Sequence, residues 1–400
     1  MTMDLINKLM NVVAPPMALV ALFLLVPPLY LYKLLLSFLY SLFPEDLTHK
    51  VVLITGASSG IGELISELVN QSKVYATSIR ICEEGAALVL VARREGSLQE
   101  VAERARDLGL PDVLVIPADV AKPEDCQRFV GAVIAHFGRL DHLVNNAGIA
   151  NVCLFDEAPD VTKFTPVMDV NFWGSVYPTH YALSHLKKTK GRIVVNSSAS
   201  GWLPLPRQSF YNASKAALIN FYETLRIELG NEVGITIATP SFIESEMTKG
   251  KFLTKDGRME INQELRDAQV CLFPMEYAAE CARCMVEAAR RGERRVTVPA
   301  WFRVLHLWWV FAPEVFDWCF RVLYVAPPPG DAPVKTILDL SSAKAVLYPS
   351  SSHSPDIKNE MLTSGDQSIR LISRSRTLRL LGVGSSGSLR SRATCSSSQD

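Results

Sequence analysis

Between Lys50 and Pro299 the chain alternates short, almost continuously apolar runs with longer stretches in which apolar positions recur every three or four residues. The apolar runs are VVLIT (51–55), AALVLVA (86–92), DVLVIPA (112–118), LDHLVNNAG (140–148), RIVVNSS (192–198), GITIATP (234–240) and RRVTVPA (294–300). Strands that are apolar on both faces suit a parallel sheet covered on either side, and their alternation with helical segments predicts a doubly wound α/β domain over residues 49–300.

The flanks follow other patterns. From Met17 to Phe43 the chain is apolar, with Lys33 as its single charge. A cleaved signal would need a basic start and a small-residue cleavage site, and neither is clear here, so residues 1–48 are expected to stay as a hydrophobic anchor. About 20 apolar residues cross roughly 30 Å of hydrocarbon, but Pro27 and Pro28 interrupt the run. Tandem prolines remove two backbone donors, so two short arms meeting at a proline knob, dipping into lipid and returning, is the expectation, with one kinked span as the alternative. Residues 301–330 are rich in aromatics and Leu and predict a helical extension that lies on a membrane or on the domain. Residues 331–400 turn to Ser, Arg, Gly and Pro, a composition that predicts no packed core.

One crossover is irregular. Residues 63–84 separate the first strand's turn from the second strand and, as a single helix, would run about 33 Å, overshooting strands of about 17–20 Å. Ile61, Leu64, Ile65 and Leu68 have helical spacing, whereas residues 74–82 are β-branched and poorly periodic. The pattern predicts a helix to about Val69 and an extruded segment near residues 70–80.

Composition narrows the function. Acidic and basic residues balance at 41 each, leaving no basic excess to hold nucleic acid. Eight scattered cysteines suit reduced thiols, and the CxxC of Cys281 and Cys284 has no second pair to complete a metal site. No metal is expected.

The chemistry begins at VVLITGASSGIGE. A strand runs straight into a glycine turn and a helix start, the arrangement that seats a pyrophosphate over a helix N-terminus. Gly56 permits the turn, Gly60 lets backbone approach the phosphates, and Gly62 allows close helix packing. At the end of the second strand, where an acidic residue would hold the ribose hydroxyls of NAD, stand Arg93 and Arg94; basic residues there accommodate a 2′-phosphate and point to NADP(H). Further along come Asp119, NNAG at 145–148, Asn171, NSSASGW around Ser198, and YNASK from Tyr211 to Lys215. Tyr211 and Lys215, four apart, share one helix face. A free phenol titrates near 10, so a neighbouring ammonium and the positive nicotinamide are what would make Tyr211 usable as an acid or base. Ser198 would hold the substrate oxygen, with Ser197 as fallback, and Asn171 would order a water relay behind Lys215.

TGASSGIG, NNAG, Ser198 and YNASK, in this order, resemble the short-chain dehydrogenase/reductase family across about residues 50–299. With the proline-interrupted apolar N-terminus, the chain is most similar to its plant steroleosin branch, the 11-beta-hydroxysteroid dehydrogenase-like proteins of seed oil bodies. That resemblance implies a Rossmann-type fold with Tyr211, Lys215, Ser198 and Asn171 as catalytic residues, Ser198 also orienting substrate. It implies that the turn Gly56, Ser58, Ser59, Gly60, Ile61 and Gly62 lines the cofactor. Arg93, Arg94, Asp119, Val120, Asn146, Ala147, Gly148 and Ile243 would join it, together with Tyr211 and Lys215. It further implies a steroid or sterol substrate, an anchor in a lipid-droplet monolayer or the endoplasmic reticulum membrane with the enzyme domain facing cytosol, and a homodimer through the helices bearing Asn171 and Tyr211. Where the family has Pro-Gly after the sixth strand this chain has Pro240-Ser241; if glycine's freedom is needed there, strain of about 1–3 kcal/mol follows. Together with the long crossover, this leaves a second expectation, a lipid-droplet coat protein with an impaired dehydrogenase domain.

Overall fold

The computed structural model describes residues 2–42, 44–71, 86–108, 110, 112–270 and 273–324. All seven predicted strands form: β1 (Val51–Thr55), β2 (Ala87–Ala92), β3 (Val113–Pro117), β4 (His142–Asn145), β5 (Arg192–Asn196), β6 (Gly234–Pro240) and β9 (Arg295–Val298). They make one sheet in the order β3-β2-β1-β4-β5-β6-β9, every neighbour parallel. Between β6 and β9 the chain adds an antiparallel pair, β7 (Lys251–Leu253) with β8 (Met259–Ile261).

The apolar runs work because successive strand side chains point to opposite faces. In β1, Val52 and Ile54 join one core with Ile65, Leu98, Val101, Cys281 and Met285. Those partners lie on α2 (Gly60–Gln71), α3 (Glu95–Asp107) and α9 (Ala278–Arg290). Val51 and Leu53 join the other core with Phe129, Val133, Ala182, Leu186, Leu218 and Tyr222. Those lie on α4 (Pro123–Phe137), α6 (Gly174–Thr189) and α7 (Ser209–Leu229). A short α5 (Thr165–Met168) leads through a π-helical turn, Asp169–Trp173, into α6.

Strand order reverses direction at β1, with β2 and β3 on one side and β4, β5 and β6 on the other. The carboxyl ends of β1 and β4 therefore open a crevice, the place where doubly wound sheets bind ligands.

The helix after β1 ends at Gln71, close to the expected Val69, and at about 18 Å matches the strands it covers. The extruded segment expected near residues 70–80 lies, beyond Gln71, outside the described residues, as does the tail from residue 325 on.

The N-terminal expectation needs correction. Instead of two arms meeting at Pro27 and Pro28, Thr2–Leu42 forms one helix, α1, with Pro15, Pro16, Pro27 and Pro28 inside it. Proline's own φ is helical, so each ring removes a hydrogen bond without forcing the chain to reverse. Met3–Leu36 has a mean hydropathy of 2.3 and is not buried in the fold, a length and composition that can cross a membrane. After β9 come α8's later companions α10 (Phe302–Phe311) and α11 (Pro313–Tyr324), α8 itself being Gln263–Val270. Phe302, Phe316, Phe320 and Tyr324 are buried on the domain, whereas Val304, Leu307, Trp308, Phe311 and Trp318 are exposed. The aromatic extension thus has one face on the domain and a second apolar face outward.

Between α1 and the sheet, Glu45 clamps the amino-terminal ends of the strands. Its carboxylate accepts from Arg192 Nε at 2.6 Å and lies 3.4 Å from His142 Nε2, while its carbonyl accepts from Arg290 Nε at 2.8 Å. Burial raises the Glu45 pKa, but hydrogen bonds and charge from His142 and Arg192 outweigh it and hold the group down to about 2. A depressed carboxylate stabilises the fold above its ordinary pKa, and that stabilisation fades as pH falls from about 4.5 toward 2. Glu45→Gln is expected to lower stability at pH 7 by about 2 kcal/mol and to flatten the acid limb, measured by urea unfolding between pH 3 and 7.

Candidate active site

The crevice is built from contacts too close for side chains. Gly56 has φ +65°, and a Cβ there would stand 2.7 Å from Ala147 Cα; a Cβ on Gly62 would meet the Gly56 carbonyl oxygen at 2.5 Å and the amide of Asn146. The turn after β1 and the segment after β4 are therefore in backbone contact. Thr55 locks them: its Oγ1 accepts from Asn146 N at 3.1 Å and Ala147 N at 3.3 Å and donates to Val144 O at 3.3 Å. Asn146 donates from Nδ2 to the Thr55 and Gly56 carbonyls, both at 3.2 Å, and Asn196 donates to Asn146 Oδ1 at 2.8 Å. Cradle and bare helix N-terminus suit a dinucleotide pyrophosphate, which needs backbone donors and no intervening Cβ.

The resulting cleft, of about 330 Å³, brings together residues from six loops. Of the expected set, Gly56, Ser58, Ser59, Gly60 and Ile61 line it, then Arg93 and Arg94, Asp119 and Val120, and Asn146, Ala147 and Gly148. Ser198, Tyr211, Lys215 and Ile243 line it as well. Gly62 sits behind the turn, and Asn171 is absent from the lining.

At the reaction end, α7 carries Tyr211 and Lys215, both buried. Lys215 Nζ lies 5.6 Å from the Tyr211 ring centroid and donates to Asn196 O at 2.9 Å. Ser198 lines the same cleft wall as the Tyr211 phenol, with its Oγ 3.2 Å from Ser200 Oγ and 3.3 Å from Pro240 O. Ser197 is elsewhere engaged, donating to the Lys215 carbonyl at 2.9 Å, so it anchors α7 to β5 and the fallback role falls away.

Desolvation dominates the electrostatics of the free protein. Burial pushes the Tyr211 phenol up to about 12, with the Ser198 hydrogen bond pulling the other way, and burial alone brings Lys215 down to about 7. Without a bound cation, the interior disfavours both charged forms.

Asn171 sits in the π-helical turn, a local widening that turns its side chain back toward β4. Its Oδ1 accepts from Ile149 N at 2.8 Å, and its Nδ2 donates to Ile149 O and to Ser214 Oγ, each at 2.9 Å. Both amide ends are occupied, so the side chain holds Ile149 against α7, and its Oδ1 and Lys215 Nζ flank Gly148. Ser241 brings a correction. It is absent from the positive-φ positions among the described residues, so the serine carries no backbone strain.

Several lining residues had gone unforeseen. Asn196 was legible as the start of NSS, yet its contact with Asn146 spans two strands. Glu246 and Lys251 come from the insertion after β6 and carry no local motif. Glu246 pairs with Arg94 at 2.7 Å and Lys251 at 2.8 Å, closing one end of the cleft. Arg94 also donates to Ser59 Oγ at 2.9 Å and Ser58 Oγ at 3.3 Å.

A sequence profile of short chain dehydrogenases matches residues 50–256. The chain belongs to the short-chain dehydrogenase family. This short-chain dehydrogenase is 50% identical over 361 residues to 11-beta-hydroxysteroid dehydrogenase A of Arachis hypogaea, covering 90% of this chain and all of that one. It is 50% identical over 362 residues to 11-beta-hydroxysteroid dehydrogenase A of Sesamum indicum and 47% identical over 361 residues to 11-beta-hydroxysteroid dehydrogenase 1A of Arabidopsis thaliana, with the same coverage. Among solved structures, a short-chain dehydrogenase/reductase from Burkholderia phymatum in complex with NAD aligns with TM-score 0.57 at 22% identity, over 72% of this chain and 99% of that one, and bears out the fold. The likeness to these plant proteins named 11-beta-hydroxysteroid dehydrogenase therefore extends over 90% of the chain.

Two measurements probe this geometry. Gly62→Ala is expected to weaken binding of a reduced nicotinamide cofactor by about 10-fold or more in fluorescence titrations with NADH and NADPH, since the added methyl displaces the Gly56 carbonyl or Asn146. A lysine depressed to about 7 binds fewer protons folded than unfolded between pH 7 and about 10.5, so stability of the free protein should rise with pH across that window. Lys215→Met should abolish this rise in thermal unfolding scans.

Proposed function

We propose that this short-chain dehydrogenase interconverts a hydroxyl and a keto group of a steroid or sterol with NADP(H), at a lipid-droplet or endoplasmic reticulum surface. The observation that carries the reading is the convergence of Ser198, Tyr211 and Lys215, buried side by side at the inner end of a cleft whose outer end is an anion cradle. The near full-length likeness to plant proteins named 11-beta-hydroxysteroid dehydrogenase supports the substrate class.

The bound nicotinamide supplies or accepts the hydride. The chain's residues do the rest. Ser198 hydrogen-bonds the substrate oxygen beside the Tyr211 hydroxyl, which gives that oxygen a proton during reduction and takes it during oxidation. Lys215, held by Asn196 O, binds the nicotinamide ribose and, once charged, lowers the Tyr211 pKa from its buried value. Asn171 acts as a positioning residue, fixing Ile149 and α7 relative to each other. Arg94, gathered with the hydroxyls of Ser58 and Ser59, supports a 2′-phosphate site and hence NADP(H) over NAD(H), with Arg93 beside it. The exposed apolar α1 and the outward face of α10 and α11 support attachment to lipid. A coat protein with an impaired dehydrogenase domain has no use for so complete a reaction end.

Tyr211→Phe should reduce turnover of hydroxysteroids and ketosteroids at least 100-fold while leaving NADPH affinity within about 2-fold. Arg94→Ala should raise KM for NADP(H) by 10-fold or more and leave NAD(H) nearly unchanged. Wild-type turnover confined to small soluble alcohols, or equal use of both cofactors with and without Arg94, would overturn the reading. In flotation of cell extracts, the full chain should rise with droplets or microsomes, and a chain lacking residues 1–48 should shift toward the soluble fraction.

A further inference from the structure

A second cavity, of about 50 Å³, opens off the reaction end of the cleft. Ser198, Tyr211, Ser241, Met247 and Thr248 line both spaces, so whatever occupies the cavity adjoins the reacting oxygen. Its remaining walls are largely apolar: Leu205, Phe242, Phe252, Val270 and Phe302. A space this small takes one apolar end of a ligand whose body lies in the cleft.

Ser200, Gln208 and Gln269 interrupt that apolar character. Gln269, on α8, is 2% exposed, and among the described residues neither its Nε2 nor its Oε1 has a hydrogen-bond partner. Ser241 Oγ, on the same cavity, is likewise buried and unpartnered. Buried amides are satisfied almost without exception, because leaving one unpaired forfeits its hydration with no return. Two such groups facing one cavity beside the reaction centre point to partners that arrive with the substrate.

The ligand chemistry follows from the wall. An amide offers one acceptor and two donors, which match a keto or hydroxyl oxygen. Neither Lys nor Arg lines the cavity, so a carboxylate, sulfate or phosphate would be buried without a counter-charge.

We propose that Gln269 is a specificity-determining residue that hydrogen-bonds a second, uncharged oxygen of the substrate, on the part of the skeleton seated beyond Ser198 and Tyr211. The inference rests on the steroid reading above and deepens it: the substrate carries at least two oxygens, one that reacts and one that is held. Because the amide finds its partner only when such an oxygen arrives, the substrate that carries the oxygen gains a hydrogen bond that the analogue lacking it does not.

The test compares full-length wild type with Gln269→Met, which keeps the length and removes the amide. The probes are 11β-hydroxyandrostane with and without ketones at both ends of its ring system. Wild type should favour the oxygenated probe in kcat/KM by about 10- to 100-fold; Gln269→Met should lose that preference, leave the plain probe unchanged, and bind NADPH as wild type does. Equal loss on both probes, or no preference in wild type, overturns the proposal. If wild type turns over neither steroid, the steroid reading fails, and Gln269 is still judged by thermal unfolding. Removing an unpaired buried amide should raise the Tm of the free protein by about 2 °C or more. A lower Tm would mean that Gln269 makes a structural hydrogen bond, and the proposal falls.

Discussion

The site depends on one close approach, that of the turn after β1 to the segment after β4. At Gly56 the backbone passes so near Ala147 that no Cβ fits between them, and Gly62 sits equally tight on the Gly56 carbonyl. Because the strand order reverses at β1, these two segments border the open end of the sheet with no strand-connecting helix over them. Drawing them together sets the N-terminus of α2 at the floor of the crevice. It also gives Thr55 and Asn146 fixed partners. Asn196 binds Asn146 and Lys215 binds Asn196, so the cradle and the reaction end form one hydrogen-bonded unit. A shift at the turn is transmitted to the lysine.

Burial then sets the chemical character of that unit. Tyr211 and Lys215 occupy an interior that makes the phenol a weaker acid and the amine a weaker base than in water. In the free protein the Tyr211 phenol is therefore neutral at pH 7, while the Lys215 amine, brought down to about 7, is divided between its charged and neutral forms. Charge becomes favourable there when an opposite or complementary charge is brought in with the cofactor, which couples readiness for chemistry to occupancy of the cleft. Among the buried side-chain atoms without a partner in the described residues, those of Gln269 and Ser241 line the cavity next to the reacting groups, and Gln269 has neither amide end paired.

Much of this was legible from residue order. Each of the seven strands follows from a short apolar run, and the glycine turn, NNAG, Ser198 and the Tyr211–Lys215 spacing identify themselves because each depends on neighbours within a few positions. Other features were not legible. Ser197 and Ser198 are adjacent and chemically identical, and only the direction each points from the end of β5 separates an anchor of α7 from a partner of Tyr211. Asn171 stands out by its place in the motif order, whereas the bonds of its amide to Ile149 and Ser214 come from the fold. The tandem prolines read as a turn, since proline's loss of a donor is local knowledge, while the continuity of a helix depends on the summed preference of forty residues.

By itself, the sequence determined the class of fold, the cofactor turn, the chemistry available at the reaction end and the apolar character of the segment that precedes the domain. These are properties of local pattern: periodicity, glycine at turns, and the spacing of reactive side chains along one helix. Tertiary structure alone decided which serine faces the phenol, that Arg94 meets Glu246 across 152 positions of chain, and that Gln269 ends buried beside Tyr211 with nothing to bind. Those facts depend on how the insertion after β6 folds over the crevice. No short-range pattern encodes that path, because its side chains are placed by packing against strands far away in the chain.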